Sequence, residues 1–164
     1  VLDSSSANKI AERTLGDLSD KVSQFVVSPY STQINYKNTP VRVTALAYGD
    51  IFKWIKNTIE DSQKPVLVFC HELFMLREYE NLNDHVILNR DKAVKIFEES
   101  DKVKAVFCGH YHFGDYVLKN GIHYVTFGSL CLHEDLTCAV VTIDKNELKI
   151  EGFGRQESMQ LKLR

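Results

Sequence analysis

The sequence lacks long apolar runs and lacks an excess of either charge, and each absence excludes a class of protein. Its purely apolar stretches are short, as in residues 66–70, far below the ~20 residues that span a bilayer. Twenty Lys and Arg face 22 Asp and Glu, with the two signs interleaved along a chain of net charge −2. This balance excludes binding of nucleic acid or membrane by bulk charge. We therefore expect any partner to be recognised by a defined site.

Cysteine is sparse, and no two cysteines form a Cys-x-x-Cys pair. The four residues are Cys70, Cys108, Cys131 and Cys138, and all lie among strand-like apolar residues. This setting predicts buried free thiols in a reducing compartment, and therefore a cytoplasmic protein. A signal peptide and an initiator Met are also absent, because the chain opens at Val1. We expect either a trimmed product or part of a longer polypeptide.

The apolar content is ample for one folded domain. The chain has 164 residues, of which 44% are hydrophobic, and this excludes a disordered protein. No internal repeat, linker or low-complexity tract divides it. We therefore predict a single domain over residues 1–164.

The first half of the chain alternates between helix and strand patterns. Apolar residues at spacings of three and four predict a helix over residues 10–26, and a polar stretch with two prolines predicts a loop over residues 28–40. A strand is predicted over residues 41–48 and a helix over residues 51–59. A strand at residues 66–70 shows no polar alternation, which indicates burial on both faces.

The second half continues this pattern and then becomes antiparallel. A helix capped by Asn89 and ending near residue 99 precedes a strand at residues 103–108. Asn120-Gly121 predicts a hairpin turn, and a second hairpin is predicted between residues 138–143 and 148–153. Strands alternating with helices indicate an α/β fold with C-terminal antiparallel hairpins.

Three histidines follow the two buried strands. His71 follows the strand at residues 66–70, while His110 and His112 follow the strand at residues 103–108. Since ligands bind beyond the carboxyl ends of strands in open α/β sheets, we expect the three imidazoles to converge. Gly109 would let the backbone turn before them, and neutral imidazoles are common ligands of Zn, Mn and Fe.

A structural role competes with the metal interpretation for each histidine. A single histidine after a strand is usually a hydrogen-bonded residue at the rim of the sheet. His85 lies in a polar loop and His123 in a hairpin strand, so we interpret both as surface or sheet residues. The sequence leaves the role of His133 open.

Three segments of the chain resemble a known family. Residues 65–71, residues 103–112 with their final Gly-His-Tyr-His motif, and the hairpin at residues 119–129 resemble the C-terminal half of a calcineurin-like metallophosphoesterase. The likeness is greatest to Icc-type phosphodiesterases and ADP-ribose/CDP-alcohol diphosphatases. It implies a four-layered α/β/β/α sandwich and two divalent metal ions, Mn, Fe, Zn or Mg. The two-metal site would hydrolyse a phosphomonoester, phosphodiester or nucleotide pyrophosphate.

The resemblance also implies roles for individual residues. His71 and His110 would bind one ion and His112 the other, and Tyr111 and His133 are candidates for substrate contacts. The catalytic residues are unknown, because the family's Asp-x-His and Gly-Asn-His motifs have no counterpart in this sequence.

Three further stretches match the early family motifs only in part. The letters of Gly-Asp-x-x-Asp recur at residues 16–20, but within the predicted helix. Asp50 and Glu72 are poorer candidates. Three histidines cannot hold two ions without a bridging carboxylate.

We therefore expect a C-terminal fragment of a metallophosphoesterase that is inactive by itself. Its sheet would have an open edge suited to self-association, and its substrate would be a phosphorylated small molecule or nucleotide. The alternative is a non-catalytic scaffold of the same fold that binds a protein partner.

Overall fold

The computed structural model describes residues 22–27, 32–36, 39–43, 49–77, 85–87, 90–131, 137–144 and 146–164, and up to residue 50 it describes the backbone only. These residues form two helices and ten strands, with the following bounds: β1 Val22–Val27, β2 Thr32–Tyr36, β3 Thr39–Val43, α1 Gly49–Asp61, β4 Val66–Phe69, α2 Arg90–Glu98, β5 Val103–Cys108, β6 Asp115–Lys119, β7 Ile122–Thr126, β8 Cys138–Asp144, β9 Glu147–Phe153 and β10 Met159–Lys162.

A mixed four-stranded sheet of order β4-β5-β7-β6 forms the centre of the fold. β4, β5 and β7 run parallel, and β6 pairs with β7 as an antiparallel hairpin. The predicted turn closes that hairpin, with positive φ angles of 49° at Asn120 and 74° at Gly121. Because β4, β5 and β7 are parallel, their carboxyl ends all lie at the same end of the sheet, next to the start of β6.

Alternate residues of this sheet face two different layers. On one face, Val106 and Tyr124 pack with apolar residues of α1 and α2, including Phe52 and Phe97. On the other face, a second core includes Ala105, Phe107, Val125, Leu148, Ile150 and Leu161. The period of two along β5 therefore joins both layers to one sheet.

The second core is completed by an antiparallel sheet of order β10-β9-β8. Its hairpin β8–β9 agrees with the prediction, whereas β10 was not predicted. The helices, the mixed sheet and this antiparallel sheet make three of the four layers that the resemblance implies. A fourth layer is not seen among the residues that the structure describes.

The predicted helix over residues 10–26 is wrong at its C-terminal end. Residues 22–26 belong to β1, which pairs antiparallel with β2, while residues 10–21 lie outside the described residues. The segment Val-Ser-Gln-Phe-Val-Val is rich in β-branched residues, which favour a strand when a partner strand is present. Pairing with β2 therefore outweighs the helical spacing of the apolar residues.

The predicted loop over residues 28–40 is also wrong, because it contains β2 and the start of β3. Pro40 lies in β3, which is an edge strand of the sheet β1-β2-β3. An edge strand tolerates a residue that cannot donate to the ladder. Of the strand predicted over residues 41–48, β3 includes residues 41–43, and the rest lies outside the described residues.

β4 is not buried on both faces, contrary to the prediction. Val66 and Val68 pack toward the helical layer, but the side chain of Phe69 is 73% exposed. β4 is the outer strand of its sheet in the described part of the chain, and the second sheet does not cover Phe69. β4 therefore has one unpaired side among the residues that the structure describes.

The four cysteines are all free, as predicted, but they are not all buried. Cys108 is buried and Cys70 is partly buried, whereas Cys131 and Cys138 are exposed. The two exposed residues lie in a turn and at the start of β8, where apolar neighbours in the sequence do not imply burial. Neither described helix has the length and apolar content needed to cross a membrane.

Candidate metal centre

His71 and His110 are brought together by the parallel pairing of β4 and β5. Backbone hydrogen bonds continue past the ends of both strands: Cys70 N–H donates to the Phe107 carbonyl at 3.0 Å, and Gly109 N–H donates to the His71 carbonyl at 3.0 Å. Nδ1 of His110 consequently lies 3.3 Å from Nε2 of His71. The sequence prediction that these two histidines meet at neighbouring strand ends agrees with this geometry.

The sharp turn after β5 is made by His110 and not by Gly109. His110 has a φ of 54°, in the left-handed region that side chains other than glycine rarely adopt. Tyr111 N–H donates to the Gly109 carbonyl at 2.6 Å, which closes the turn. A methyl group on Gly109 would lie 3.4 Å from Nδ1 of His71, an ordinary contact. The role that we expected of the glycine thus falls to its neighbour.

Glu72 adds a carboxylate to the two imidazoles. Its Oε2 lies 3.6 Å from Nε2 of His110 and is buried without a hydrogen-bond donor in the described part of the chain. Donor atoms of His71, Glu72 and His110 all lie within 4.8 Å of one another. Imidazole nitrogen and carboxylate oxygen suit Zn, Mn and Fe, so these residues fit a divalent ion.

His112 does not join this group of three donors. Its exposed side chain lines a separate cavity of about 300 Å³, together with Arg77, Asp115, Tyr116, Arg155 and Gln156. Nε of Arg77 lies 3.5 Å from Oδ1 of Asp115, which partly neutralises the guanidinium group. The structure therefore divides the three predicted histidines into a pair and a single residue.

His85 is a neighbour of the site that sequence reasoning placed at the surface. Its ring centroid lies 5.4 Å from that of His110 and 5.4 Å from that of Tyr111. A bridge between Leu73 and Val86 holds this segment beside the residues that follow His71. No local pattern in the sequence signals this bridge, whereas the position of Glu72 directly after His71 was a signal for the carboxylate.

Of the two residues predicted to contact substrate, Tyr111 lies within the described residues and His133 does not. Tyr111 is partly buried against the helical core, and its ring centroid lies 5.5 Å from that of Phe113. His133 lies outside the described residues. His123 is a buried sheet residue, as predicted, with Nδ1 2.9 Å from the Tyr116 hydroxyl and Nε2 2.9 Å from the Lys162 carbonyl.

The thiols beneath the site are held in their protonated form. Burial raises the pKa of the Cys108 thiol to about 12, and burial also raises the pKa of Cys70. A thiolate is the form that binds metals, and these two residues precede the histidines on the covered side of the sheet. Neither joins the His71, Glu72 and His110 group.

Comparisons with known proteins find similarity at the level of the fold. No protein-family model matches the chain, and no curated protein sequence matches it either. The chain is similar in structure to a dimetal phosphatase from Danio rerio, with a TM-score of 0.65 and 16% sequence identity. The alignment covers 71% of this chain and 38% of that one, so the chain corresponds to less than half of the phosphatase.

A second solved structure is similar over a shorter stretch. It is a conserved uncharacterized protein from Streptococcus pneumoniae, described as a predicted phosphoesterase, with a TM-score of 0.34 and 21% identity. That alignment covers 46% of this chain and 48% of that chain. The chain therefore shares part of its fold with the dimetal phosphatase.

Proposed function

We propose that this chain supplies the histidine-rich half of a metal-dependent phosphoesterase site. The observation that carries the proposal is the 3.3 Å approach of Nδ1 of His110 and Nε2 of His71. It occurs at the carboxyl ends of adjacent parallel strands, in a fold that is shared with a dimetal phosphatase. Two imidazoles whose ring nitrogens face each other at adjacent strand ends are typical of ligands of one ion.

In this proposal His71 and His110 hold one divalent ion and His112 holds a second. When bound, such ions polarise phosphoryl oxygens and make water nucleophilic at neutral pH. The bridging carboxylate, the remaining ligands and the group that protonates the leaving oxygen would come from a segment outside this sequence. The sheet edge at β4 is where further strands of such a segment could pair.

The cavity beside His112 is the proposed binding site for the rest of the substrate. Arg155 offers a guanidinium group to an anion, and the ring of Phe113, which is 76% exposed, offers an apolar surface. These groups suit a phosphorylated small molecule or nucleotide, with Tyr111 as a further candidate contact. We also propose a cytoplasmic setting, which is compatible with four free thiols.

The test is hydrolysis of bis-p-nitrophenyl phosphate by the polypeptide that the complete reading frame encodes. We expect Mn²⁺-dependent turnover that chelation abolishes and that His110→Ala removes without loss of the fold. The 164-residue chain by itself should show no turnover with Mn²⁺. Full activity of the His110→Ala variant would overturn the proposed function.

A protein-binding scaffold is the second candidate, and the open edge at β4 favours it. Phe69, Phe107 and Phe127 form a stacked ladder, with centroid separations of 5.0 and 5.6 Å, beside a groove of about 360 Å³. A second copy of this chain could pair along the unpaired strand. Phe69→Lys should then shift the chain toward the monomer in sedimentation velocity. Phe113→Lys, at a similarly exposed phenylalanine away from β4, is the control. An unchanged distribution would contradict self-association at this edge.

A further inference from the structure

The two ring nitrogens of His110 face two different groups. Nδ1 lies 3.3 Å from Nε2 of His71, whereas Nε2 lies 3.6 Å from Oε2 of Glu72. The ring is held in this orientation by the left-handed backbone at His110 and by the rings of His71 and His85, with centroids at 5.2 and 5.4 Å. Each nitrogen therefore has a separate task available to it.

A carboxylate beside one ring nitrogen can determine which nitrogen carries the proton. A neutral imidazole has one N–H and one lone pair, and an ionised carboxylate can only accept. An N–H at Nε2 would approach the buried Oε2 of Glu72, which has no other hydrogen-bond donor in the described residues. The lone pair is then at Nδ1, facing the cleft shared with Nε2 of His71.

We infer that Glu72 is a positioning residue that fixes the tautomer and orientation of His110 for metal binding. The inference rests on the proposed function, because it concerns the ion held by His71 and His110. The separation of 3.6 Å is slightly longer than a hydrogen bond, and a small movement of the side chain would close it. Metal-ligating histidines commonly donate their second N–H to a carboxylate in this way.

Direct ligation by Glu72 is the competing role, since its carboxylate lies within 4.8 Å of donor atoms of both histidines. A single ion can use only one nitrogen of His110. The carboxylate approaches Nε2, while the nitrogen of His71 approaches Nδ1. An ion between the two imidazoles therefore lies on the Nδ1 side of the ring, away from the nitrogen that Glu72 faces.

Zinc affinity, measured by isothermal titration calorimetry on the 164-residue chain, separates the two roles. Glu72→Ala removes the acceptor and should weaken Zn²⁺ binding by ~10–100-fold, the usual cost of losing a carboxylate behind a ligating histidine. Glu72→Gln keeps an oxygen that can accept from Nε2–H but has no charge, so it should bind Zn²⁺ nearly as tightly as the wild type. Equal weakening in both variants would identify a direct ligand and overturn the inference.

Glu98→Ala is the matched control. Its side chain is 22% exposed against 20% for Glu72, and its Oε1 lies 3.0 Å from Nζ of Lys119. Lys119 pairs with Ile122 at the start of β7, whereas His110 follows the carboxyl end of the parallel strand β5, so the two lie at opposite ends of the strands. Removing this carboxylate should leave Zn²⁺ affinity unchanged, even if it lowers the free energy of unfolding.

A second measurement does not depend on the folding of any variant. In the zinc-bound wild type, ¹⁵N NMR of the His110 ring should show the proton at Nε2 and the metal at Nδ1. The opposite assignment would overturn the role of Glu72, as would wild-type affinity in Glu72→Ala.

The outcome for the proposed function is read separately. If the wild type binds no Zn²⁺, the two imidazoles do not hold an ion by themselves and the role inferred for Glu72 fails. If His110→Ala binds Zn²⁺ as tightly as the wild type, the metal centre itself is wrong. If the wild type binds and His110→Ala does not, while both Glu72 variants bind normally, only the role of Glu72 fails.

Discussion

At the scale of single residues, backbone conformation and side-chain chemistry coincide at His110. The left-handed conformation costs ~1–2 kcal/mol in a residue that has a Cβ atom. The hydrogen bonds of the surrounding turn must offset this cost. The same conformation occurs at Asn120, whose side chain tolerates it well. At His110 the conformation aims Nδ1 at His71, so the strained residue and the candidate ligand are the same.

The division of the histidines predicts unequal effects on metal affinity. Replacing His71 by Ala removes a donor of the pair and should lower Zn²⁺ affinity by more than ~100-fold, beyond the usual effect of losing a supporting residue. Replacing His112 by Ala should leave the affinity of this pair unchanged, because His112 lines a separate cavity. Titration calorimetry of both variants checks this. Equal losses would show that all three histidines bind one ion.

Gly121 is a glycine whose conformation the hairpin between β6 and β7 requires. Its φ of 74° closes the hairpin between β6 and β7, and an added Cβ would lie 2.7 Å from Cδ of Arg164. Gly121→Ala should lower the free energy of unfolding by ~1–2 kcal/mol. Gly109→Ala is the control, since it meets only an ordinary contact at 3.4 Å. Urea unfolding of both variants tests the difference, and equal stability would contradict it.

At the scale of elements, β5 joins the two cores. It pairs with β4 on one side and β7 on the other, and its residues alternate between the helical layer and the second sheet. β4 has a neighbour only on one side in the described residues, which leaves Phe69 uncovered. A phenylalanine is therefore buried in the central strand β5, at Phe107, and exposed in the outer strand β4, at Phe69.

A pair of valines measures this difference between strands. Val106 in β5 is fully buried, whereas Val140 in β8 is 55% exposed. Val106→Ala should lower the free energy of unfolding by ~2–3 kcal/mol, from lost burial and the cavity that remains. Val140→Ala should change it by less than ~0.5 kcal/mol. Chemical denaturation reports both values, and similar losses would show that β8 is covered in solution.

At the scale of the whole molecule, the layers separate protected from accessible groups. Cys108 lies between the mixed sheet and the helices, while Cys131 and Cys138 lie at the outer surface. The histidine pair and Glu72 lie at the rim where the parallel strands end. Positions that look alike in sequence therefore differ in their access to solvent and reagents.

Thiol alkylation reads this arrangement directly. Iodoacetamide at pH 8 should modify Cys131 and Cys138 first, because both are exposed. Cys108 should remain unmodified, since it is buried and its pKa is raised to about 12, which keeps the unreactive protonated form. Peptide mass spectrometry locates the adducts, and denatured protein is the control in which all four thiols react. Early modification of Cys108 would contradict the layered core.

The sequence by itself determined the elements that local chemistry specifies, and tertiary pairing decided the rest. Asn120-Gly121 and the apolar run of β5 predicted their elements, because turn chemistry and burial are local properties. β1, β2 and the start of β3 were missed, since a strand without its partner has no local signature that outweighs helical spacing. His71 and His110 were predicted because parallel strand ends meet, whereas the parallel bridge at Leu73 and Val86 placed His85 beside them and the fold placed His112 apart. Spacing along a chain fixes which residues occur together locally, but only long-range backbone pairing fixes which side chains meet.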